Sequence, residues 1–328
     1  MFHTVPYTTE YKSLWNQMLS ESPNSNFIFN RDYMDYHSDR FTDRSMIVFE
    51  NNTPVALFPA NIDEEKHLFS HKGLTFGGLI PLRIISTKST LLIFKSLLSK
   101  LKELGIETVW YRPMPQPFRS FEFFEEEYAL YKVNAKLIRR EMISSIKLYE
   151  DLRWDSERKR EVNVLRRKGE IRLKKSNDCS IFWNEVLTPN LNNKFGANPI
   201  HTIGEFNLLM KRFPEKIELW EVWGEKNILA GMTFFISKQV AHAQHTSATP
   251  IGKKMKVLSF LISEKMRDYK EKGLSFFNLG TSSEEGPIDF NWNLLFWKKT
   301  FGAIGFKQDT YLIDLSNLPL LDFTNLIP

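Results

Sequence analysis

The chain of 328 residues lacks the marks of disulfide-rich, membrane-spanning and metal-binding proteins. Its single cysteine, Cys179, excludes an internal disulfide framework. No apolar run approaches the ~20 residues of a membrane helix, and the first residues carry neither the basic nor the apolar region of a signal peptide. The histidines show no metal-ligand spacing, and no Walker or dinucleotide loop occurs. These absences predict a soluble, cytoplasmic protein without a resident metal.

The composition is that of a folded chain with room for more than one core. Hydrophobic residues make up 42% of the chain and charged residues 25%, which is typical of globular proteins. A length of 328 residues exceeds what one compact core usually holds, so we expect two domains. Aromatic residues are frequent, at 14%, and most of these rings should fill the two cores.

Positive charge is concentrated in one segment. Between Arg153 and Lys175 there are ten lysines and arginines against four acidic residues, so the rest of the chain, whose total charge is +5, is close to neutral. The part from Arg158 to Lys175 can attract phosphates, and a tRNA is one partner that it would suit. Anionic lipid is another possible partner. The alternative is a solvated helix face that binds nothing.

The second half of the chain predicts a mixed α/β unit. Apolar and β-branched stretches bounded by turn residues predict strands at Ile217–Trp223, Ile228–Ile236, Gln239–Ser247 and Leu274–Leu279. Apolar residues at helical spacing predict a helix from Val257 to Lys272, which Gly273 ends. The order is therefore hairpin, third strand, helix and fourth strand.

The first half repeats this order in a weaker form. The predicted elements are strands at Ser45–Glu50, Pro54–Ile62, Leu74–Ile80 and Ile106–Tyr111, and a helix at Thr87–Leu104. The segment Leu101–Ile106 also resembles Tyr269–Leu274. We infer that a whole domain is duplicated. The expected fold class is α/β (α+β), with two domains at 1–150 and 151–328, each a mixed, mostly antiparallel sheet flanked by helices.

A segment with one glycine and three lysines follows the third strand of the second half. Thr249 to Lys256 should form a loop that leads into a helix N-terminus, where unpaired backbone N–H groups and the helix dipole favour anions. Gly252 would let the backbone approach a ligand closely, and Lys253, Lys254 and Lys256 add charge. The segment is a candidate seat for a pyrophosphate group. A plain solvated turn is the alternative.

This order of elements resembles the GNAT superfamily of N-acetyltransferases. The tract Asn291–Gly302 is similar to the tandem-domain, Fem-like branch (FemAB/FemX-type), which includes peptidoglycan bridge aminoacyltransferases. That branch tends to end its second domain with an asparagine, a short apolar stretch and Phe-Lys-x-x-Phe-Gly, and here Trp297 takes the place of the first Phe. Gly273–Gly280 and the basic helix Arg158–Gly169 also look like this branch.

The resemblance implies which residues would serve acyl transfer. His245, in the strand before the lysine segment, would take a proton from an amine, whereas His242 is expected to face the other side of that strand. For either histidine, a packed or surface position is the alternative. Lys298 would bind a phosphate or stabilise a developing oxyanion. Substrate contacts are expected from Glu284, Asp289, Asn291 and Trp292, although Trp292 could instead pack in a core.

We therefore expect an N-acyltransferase. By the resemblance, it would move an acetyl group from acetyl-CoA to the amine of an amino sugar or peptide, in cell-envelope or polysaccharide synthesis. The superfamily's donor loop usually reads Arg/Gln-x-x-Gly-x-Gly/Ala, and of the matching residues Thr249, Gly252 and Lys254 only the glycine is kept. This departure leaves two alternatives open, an aminoacyl-tRNA donor and a non-catalytic GNAT-like binding module. The N-terminal domain, which lacks such a segment, would shape the acceptor side.

Overall fold

The computed structural model describes residues 1–70, 72–151, 153–284 and 290–316, which form two compact units. The first unit contains Met1–Glu141 and the chain from Lys307 onward, and the second unit contains Met142–Phe306. This division differs from the predicted one at residue 150. The first unit includes the chain from Lys307 onward, and the second unit includes the strand residues from Met142, which the prediction gave to the first domain. A local pattern shows where a strand lies, but it does not show which sheet the strand joins.

The first unit begins the repeat of strands and helices. Its elements are β1 Phe2–Pro6, α1 Lys12–Glu21, α2 Arg31–Met34, β2 Thr42–Asp43, β3 Met46–Glu50, β4 Thr53–Phe58, β5 Asn61–Ile62, β6 His67–Phe69, β7 Ile80–Pro81, α3 Thr87–Glu103, β8 Thr108–Tyr111, α4 Phe124–Lys132 and β9 Lys136–Lys147, whose last residues belong to the second unit. The predicted strand at Leu74–Ile80 is much shorter than expected, since pairing is limited to β7 and a bridge between Gly77 and Pro113.

Two groups of strands build the first unit. One has the order β1-β3-β4-β7, and in the other β8 lies beside β6, followed by β5 and β2. Helix α3 begins at its cap Ser86, whose side chain accepts a hydrogen bond from the Ser89 N–H. Its apolar stripe, which includes Phe94 and Leu98, is buried in the core of this unit. The C-terminal strand pairs with β8, so that Tyr311 lies opposite Tyr111.

The second unit contains the remaining elements. They are α5 Ser156–Lys168, β10 Arg172–Ser176, α6 Ser180–Phe182, α7 Thr188–Phe195, α8 Ile203–Arg212, β11 Ile217–Trp223, β12 Ile228–Ile236, β13 Val240–Ala248, α9 Pro250–Met255, α10 Val257–Glu271, β14 Phe276–Thr281, α11 Trp292–Lys299 and β15 Ile304–Asp314, whose last residues belong to the first unit. A π-helical turn, Trp183–Leu187, joins α6 to α7.

The sheet of the second unit has the order β10-β11-β12-β13-β14-β9. All neighbours are antiparallel except β13 and β14, which are parallel. Helix α10 covers one face and buries Leu261 and Met266 against the sheet. Phe182 and Phe206 pack on the opposite face, where Gly231 makes room for the Phe182 ring. Within the described residues no helix combines the length and apolar character needed to cross a bilayer.

Candidate active site

Strands β13 and β14 separate part of the way along their length. They pair at three positions, from Val240 opposite Phe276 to His242 opposite Asn278. Beyond these pairs β13 continues to Ala248 and β14 to Thr281, and the described strands show no further pairing with each other. In this gap the facing strand edges present backbone N–H and C=O groups, so an extended ligand can form hydrogen bonds along them.

A β-bulge in β13 sets the direction of its two histidines. His245 lies opposite Thr233 and His242 opposite Phe235, and the register shifts between these pairs, leaving Gln244 as the extra residue. Thr233 and Phe235 are two residues apart and share a face of the sheet, so the two histidines share that face as well. The expectation that His242 faces away from His245 was wrong, because it assumed a strand without a bulge.

Two amide side chains hold the His242 ring. Its Nδ1 lies 2.6 Å from Oδ1 of Asn278, and its Nε2 lies 3.1 Å from Oε1 of Gln244. The Asn278 amide is itself fixed, because its Oδ1 accepts from the Gly280 N–H at 3.0 Å and its Nδ2 donates to Ser145 Oγ at 2.7 Å. Burial lowers the pKa of His242, so the ring is neutral at pH 7 and Nδ1 carries the proton. Nε2 is then the basic nitrogen, and the Gln244 amide must turn its NH2 group toward it, because two acceptors would repel each other at 3.1 Å.

Sequence reasoning did not select His242, Gln244 or Asn278. The bulge that brings Gln244 beside His242 leaves no trace in the apolar pattern of β13, because it depends on the partner strand. Asn278 offered the one available signal, since it is a single amide in the otherwise apolar stretch Phe276–Leu279. A buried polar residue in such a stretch requires hydrogen-bond partners, and these turn out to be His242 and Ser145.

His245 is also buried, but its surroundings are less polar. Its Nε2 lies 3.2 Å from Nδ1 of His201, which is buried too. The rings of Trp183 and Phe206 meet it edge to face. Burial, with a smaller effect from His201, lowers the pKa of His245 to about 3. A nitrogen of such low basicity is a poor proton acceptor at neutral pH, so His245 is less suited than His242 to deprotonate an amine.

Lys298 is a buried cation beside the gap. Its side chain is 2% exposed, and its ammonium donates to the carbonyl oxygens of Gly280 at 3.0 Å and Thr281 at 2.6 Å. No carboxylate of the described ranges pairs with it. Burial lowers the pKa of Lys298 to about 8, and its charge contributes to the lowered pKa of His242. Two of the three ammonium N–H groups are used, which leaves one donor for an anionic oxygen.

The predicted loop at Thr249–Lys256 is largely a short helix, α9. Thr249 caps it, since its Oγ1 accepts a hydrogen bond from the Gly252 N–H at 3.0 Å. A Cβ added at Gly252 would lie 2.1 Å from the carbonyl oxygen of Leu229. The glycine is therefore required for close packing on β12, and its amide is already bonded within the protein.

The three lysines of this segment lie at its exposed side. Lys253 donates a hydrogen bond from Nζ to Asn190 Oδ1, and Lys254 is exposed. Lys256 has φ +61 and joins α9 to the N-terminus of α10. If phosphates bind here, the lysine side chains and the start of α10 are the available contacts.

Residues around α11 were expected to meet the substrate. Asn291 is the N-cap of α11, because its Oδ1 accepts from the Leu294 N–H at 2.9 Å, and its Nδ2 donates to Glu284 Oε1 at 2.9 Å. Trp292 is 73% exposed, so it is not a core residue and its ring remains open to a ligand. Asp289 lies outside the described residues.

The basic segment forms α5 and β10, and its charge is divided between two faces. Arg158 and Arg166 lie on the side of α5 that contacts α10, where Arg158 pairs with Glu161 and the exposed Arg166 pairs with Glu264, each at 2.5 Å. On the outer face of α5 three exposed cations have no carboxylate partner in the described part of the chain; they are Lys159, Arg160 and Arg167. The outer face alone is therefore available to a polyanion.

Comparison with known proteins agrees with this architecture. Residues 183–292 match the model of the acetyltransferase (GNAT) domain family, whereas no curated protein sequence matches the chain. The crystal structure of FemX is similar over 99% of both chains, with a TM-score of 0.68 at 10% identity. The C-terminal domain of a putative lysylphosphatidylglycerol synthetase from Agrobacterium fabrum covers 92% of both chains, with a TM-score of 0.56 at 9% identity.

A tandem GNAT protein from the clavulanic acid biosynthesis pathway is similar as well. It covers 96% of this chain and 99% of its own, with a TM-score of 0.51 at 10% identity. At such identities the likeness establishes the fold, and the predicted fold class is confirmed. Residues 183–292 therefore match a GNAT acetyltransferase domain, and the whole chain has a fold similar to those of FemX and of the tandem GNAT protein.

Proposed function

We propose that the chain is an N-acyltransferase that holds its acyl donor in the gap between β13 and β14. The observation that carries this proposal is that the two parallel strands stop pairing after His242 and Asn278, at the place where a buried ammonium and a neutral imidazole lie. The arm of an acyl thioester is extended and has amide groups that suit an unpaired strand edge. Lys253, Lys254 and Lys256 would meet the phosphates, so acetyl-CoA is the proposed donor.

The chemistry follows from the neutral His242 ring. An acceptor amine enters on the face shared by the two histidines, and His242 Nε2 takes a proton as the amine nitrogen attacks the thioester carbonyl carbon. A C–N bond forms and the C–S bond breaks. The leaving thiolate then takes the proton from His242, so that a thiol is released. Backbone N–H groups near Gln244, or the ammonium of Lys298, would stabilise the oxyanion. Holding both reactants in this geometry supplies a further part of the rate.

The proposed acceptor is the amine of an amino sugar or peptide in cell-envelope or polysaccharide synthesis. The likeness to FemX and to a putative lysylphosphatidylglycerol synthetase supports acyl transfer to an envelope component. His245 remains a second candidate base, and Glu284, Asn291 and Trp292 are proposed to contact the acceptor. Trp292 is suited to this because an exposed indole can stack on a sugar.

Calorimetry with acetyl-CoA tests the donor site first. Wild type should bind it, Lys253→Glu should bind it at least tenfold more weakly, and Lys211→Glu, an exposed lysine on α8, should bind as wild type does. Release of free thiol in the presence of glucosamine then tests transfer. Absence of binding at millimolar acetyl-CoA would rule out this donor.

An aminoacyl-tRNA donor is the second candidate, and the outer face of α5 favours it. Its three unpaired cations, Lys159, Arg160 and Arg167, form a surface that a nucleic-acid backbone can neutralise. Reversing all three charges should lower the salt dependence of tRNA binding by about two to three in log–log slope. The matched control reverses three exposed lysines of α3, which are Lys88, Lys95 and Lys102. An equal effect in the control variant would reject this surface.

A further inference from the structure

A small polar cavity lies beside Arg31 in the first unit. Its volume is about 40 Å³, enough for about three water molecules at ~10–15 Å³ each. Its polar wall includes Arg31, Asp35, Asp43 and Asn61, and its apolar wall includes Phe41 and Leu74. We call this space the Arg31 cavity. It lies apart from the acyl-donor gap in the sequence and belongs to the first unit alone.

The guanidinium of Arg31 is buried and nearly fully bonded. Only 3% of the residue is exposed, and its Nη2 donates to Asp35 at 2.6 Å and to Asp43 at 2.9 Å. Its Nη1 donates to Ser45 Oγ at 3.2 Å, and the group stacks on the Tyr7 ring at 3.9 Å. The Nε–H, however, has no partner among the described residues. A buried donor left in this state costs about 1–3 kcal/mol, so it calls for a bound acceptor.

Asn61 presents the complementary group. Its Nδ2 donates to the carbonyl oxygen of Lys72 at 2.6 Å, which fixes the amide, and it is buried. Its Oδ1 has no donor within the described ranges. Arg31 and Asn61 both line this cavity, so it brings together a residue with an orphaned donor and a residue with an orphaned acceptor. A hydroxyl group offers both functions, because it accepts one hydrogen bond and donates another.

The charges of the lining do not favour an anion. Asp35 and Asp43 together outweigh the charge of Arg31, and the Lys72 residue at the wall brings the sum close to neutral. A phosphate or carboxylate would therefore gain little attraction here. Phe41 and Leu74 offer apolar surface, which suits the C–H face of a sugar ring.

We propose that the Arg31 cavity receives a hydroxyl group of a sugar-like ligand, making the first unit a carbohydrate-binding site. That this ligand is the acyl acceptor rests on the proposed function, whereas the binding itself does not. Leu74→Trp should fill the cavity without touching the hydrogen bonds of Arg31, and Asn61→Leu should remove the orphaned acceptor. Ile84→Trp adds the same bulk at a position that is 75% exposed and does not line the cavity.

The test measures binding of N-acetylglucosamine by saturation-transfer NMR and calorimetry, without any acyl donor. This sugar has hydroxyl groups but no free amine, so no turnover can intervene. Wild type and Ile84→Trp should bind it equally, and Leu74→Trp and Asn61→Leu should each bind at least tenfold more weakly. Thermal melting identifies variants that fail to fold. One folded cavity variant is sufficient for the test.

Three results would overturn the proposal. The first is absence of binding to wild type, which would leave a cavity filled by water only. The second is unchanged binding in a folded cavity variant. The third is displacement of the sugar by inorganic phosphate. Failure of acyl transfer with intact sugar binding would count against the proposed function alone. Loss of the sugar site with intact donor binding would count against the Arg31 cavity alone.

Discussion

His242 and Asn278 are the last residues at which β13 and β14 pair, and their side chains meet at 2.6 Å between Nδ1 and Oδ1. This hydrogen bond therefore lies at the end of the paired part of the two strands, beside the gap that follows. Since Asn278 is held in turn by the Gly280 N–H and Ser145, the imidazole is fixed before any ligand binds. This is the arrangement expected of a general base whose tautomer is set by its neighbour.

Removing the base should slow transfer without weakening donor binding. We expect His242→Gln to lower kcat for acetyl transfer to glucosamine by about 10²–10⁴, the usual contribution of general base catalysis, with little change in the KM for acetyl-CoA. Asn278→Ala should give a smaller loss, because Nδ1–H loses its acceptor but Nε2 remains. His245→Gln is the matched comparison. A larger loss of kcat in His245→Gln than in His242→Gln would assign the base to His245.

Lys298 should make stability depend on pH in the alkaline range. Its pKa is about 8 in the folded chain, against 10.5 for an ordinary lysine. Between these values the unfolded chain binds more protons than the folded one, so the free energy of unfolding should rise as pH increases from 8 to 10.5, by on the order of 3 kcal/mol. Lys298→Met should abolish this rise and should be more stable than wild type at pH 7.

The control for this prediction is Lys299→Met, because Lys299 is the exposed neighbour on α11. It should keep the alkaline rise in denaturant titrations, since its charge is solvated. The same Lys298→Met variant should lose acyl transfer if the ammonium meets an anionic oxygen. A parallel pH dependence in both variants would show that other groups cause the rise.

Gly252 and Lys253 should have separable roles. Gly252→Ala places a Cβ 2.1 Å from the Leu229 carbonyl oxygen, so α9 must shift away from β12 and the melting temperature should fall. Lys253→Glu leaves the packing intact, so it should weaken acetyl-CoA binding with little change in stability. Gly204→Ala, also in a helix but with no atom within 4 Å of the added Cβ, is the matched control. Equal effects of the two alanine variants would show that the contact with Leu229 is unimportant.

The sequence predicts much of the second unit because local rules decide it. The turn residues of Gly224–Asn227 and the apolar stretches on either side define β11 and β12 to the residue. Helix α10 begins at the predicted Val257 and ends one residue before the predicted Lys272. In these cases pattern, turn chemistry and packing agree, which is the condition for reading structure from sequence.

The rest depends on contacts that no local pattern records. The bulge at Gln244 is a mismatch between β13 and β12, so the facing direction of His242 could not be read from β13 alone. Gly252 resembles a ligand-binding glycine in sequence, but its close neighbour is the Leu229 backbone. The strand ending in Lys147 pairs with β14, from the other half of the chain, and this pairing moves the unit boundary.

His245 should make the fold sensitive to acid. Burial lowers its pKa from 6.5 to about 3, so between pH 6.5 and 3 the unfolded chain binds a proton that the folded chain does not. The free energy of unfolding should therefore fall as the pH decreases through this range, and the loss is complete near pH 3. His245→Gln cannot take up that proton, so it should lose less stability between pH 7 and 4 than wild type does. Denaturant titrations at several pH values check this, with His67→Gln as a control at a half-buried site where the imidazole already lies near Asp63 and Glu65. Should His67→Gln flatten the acid slope as much as His245→Gln does, the buried His201–His245 contact is not its source.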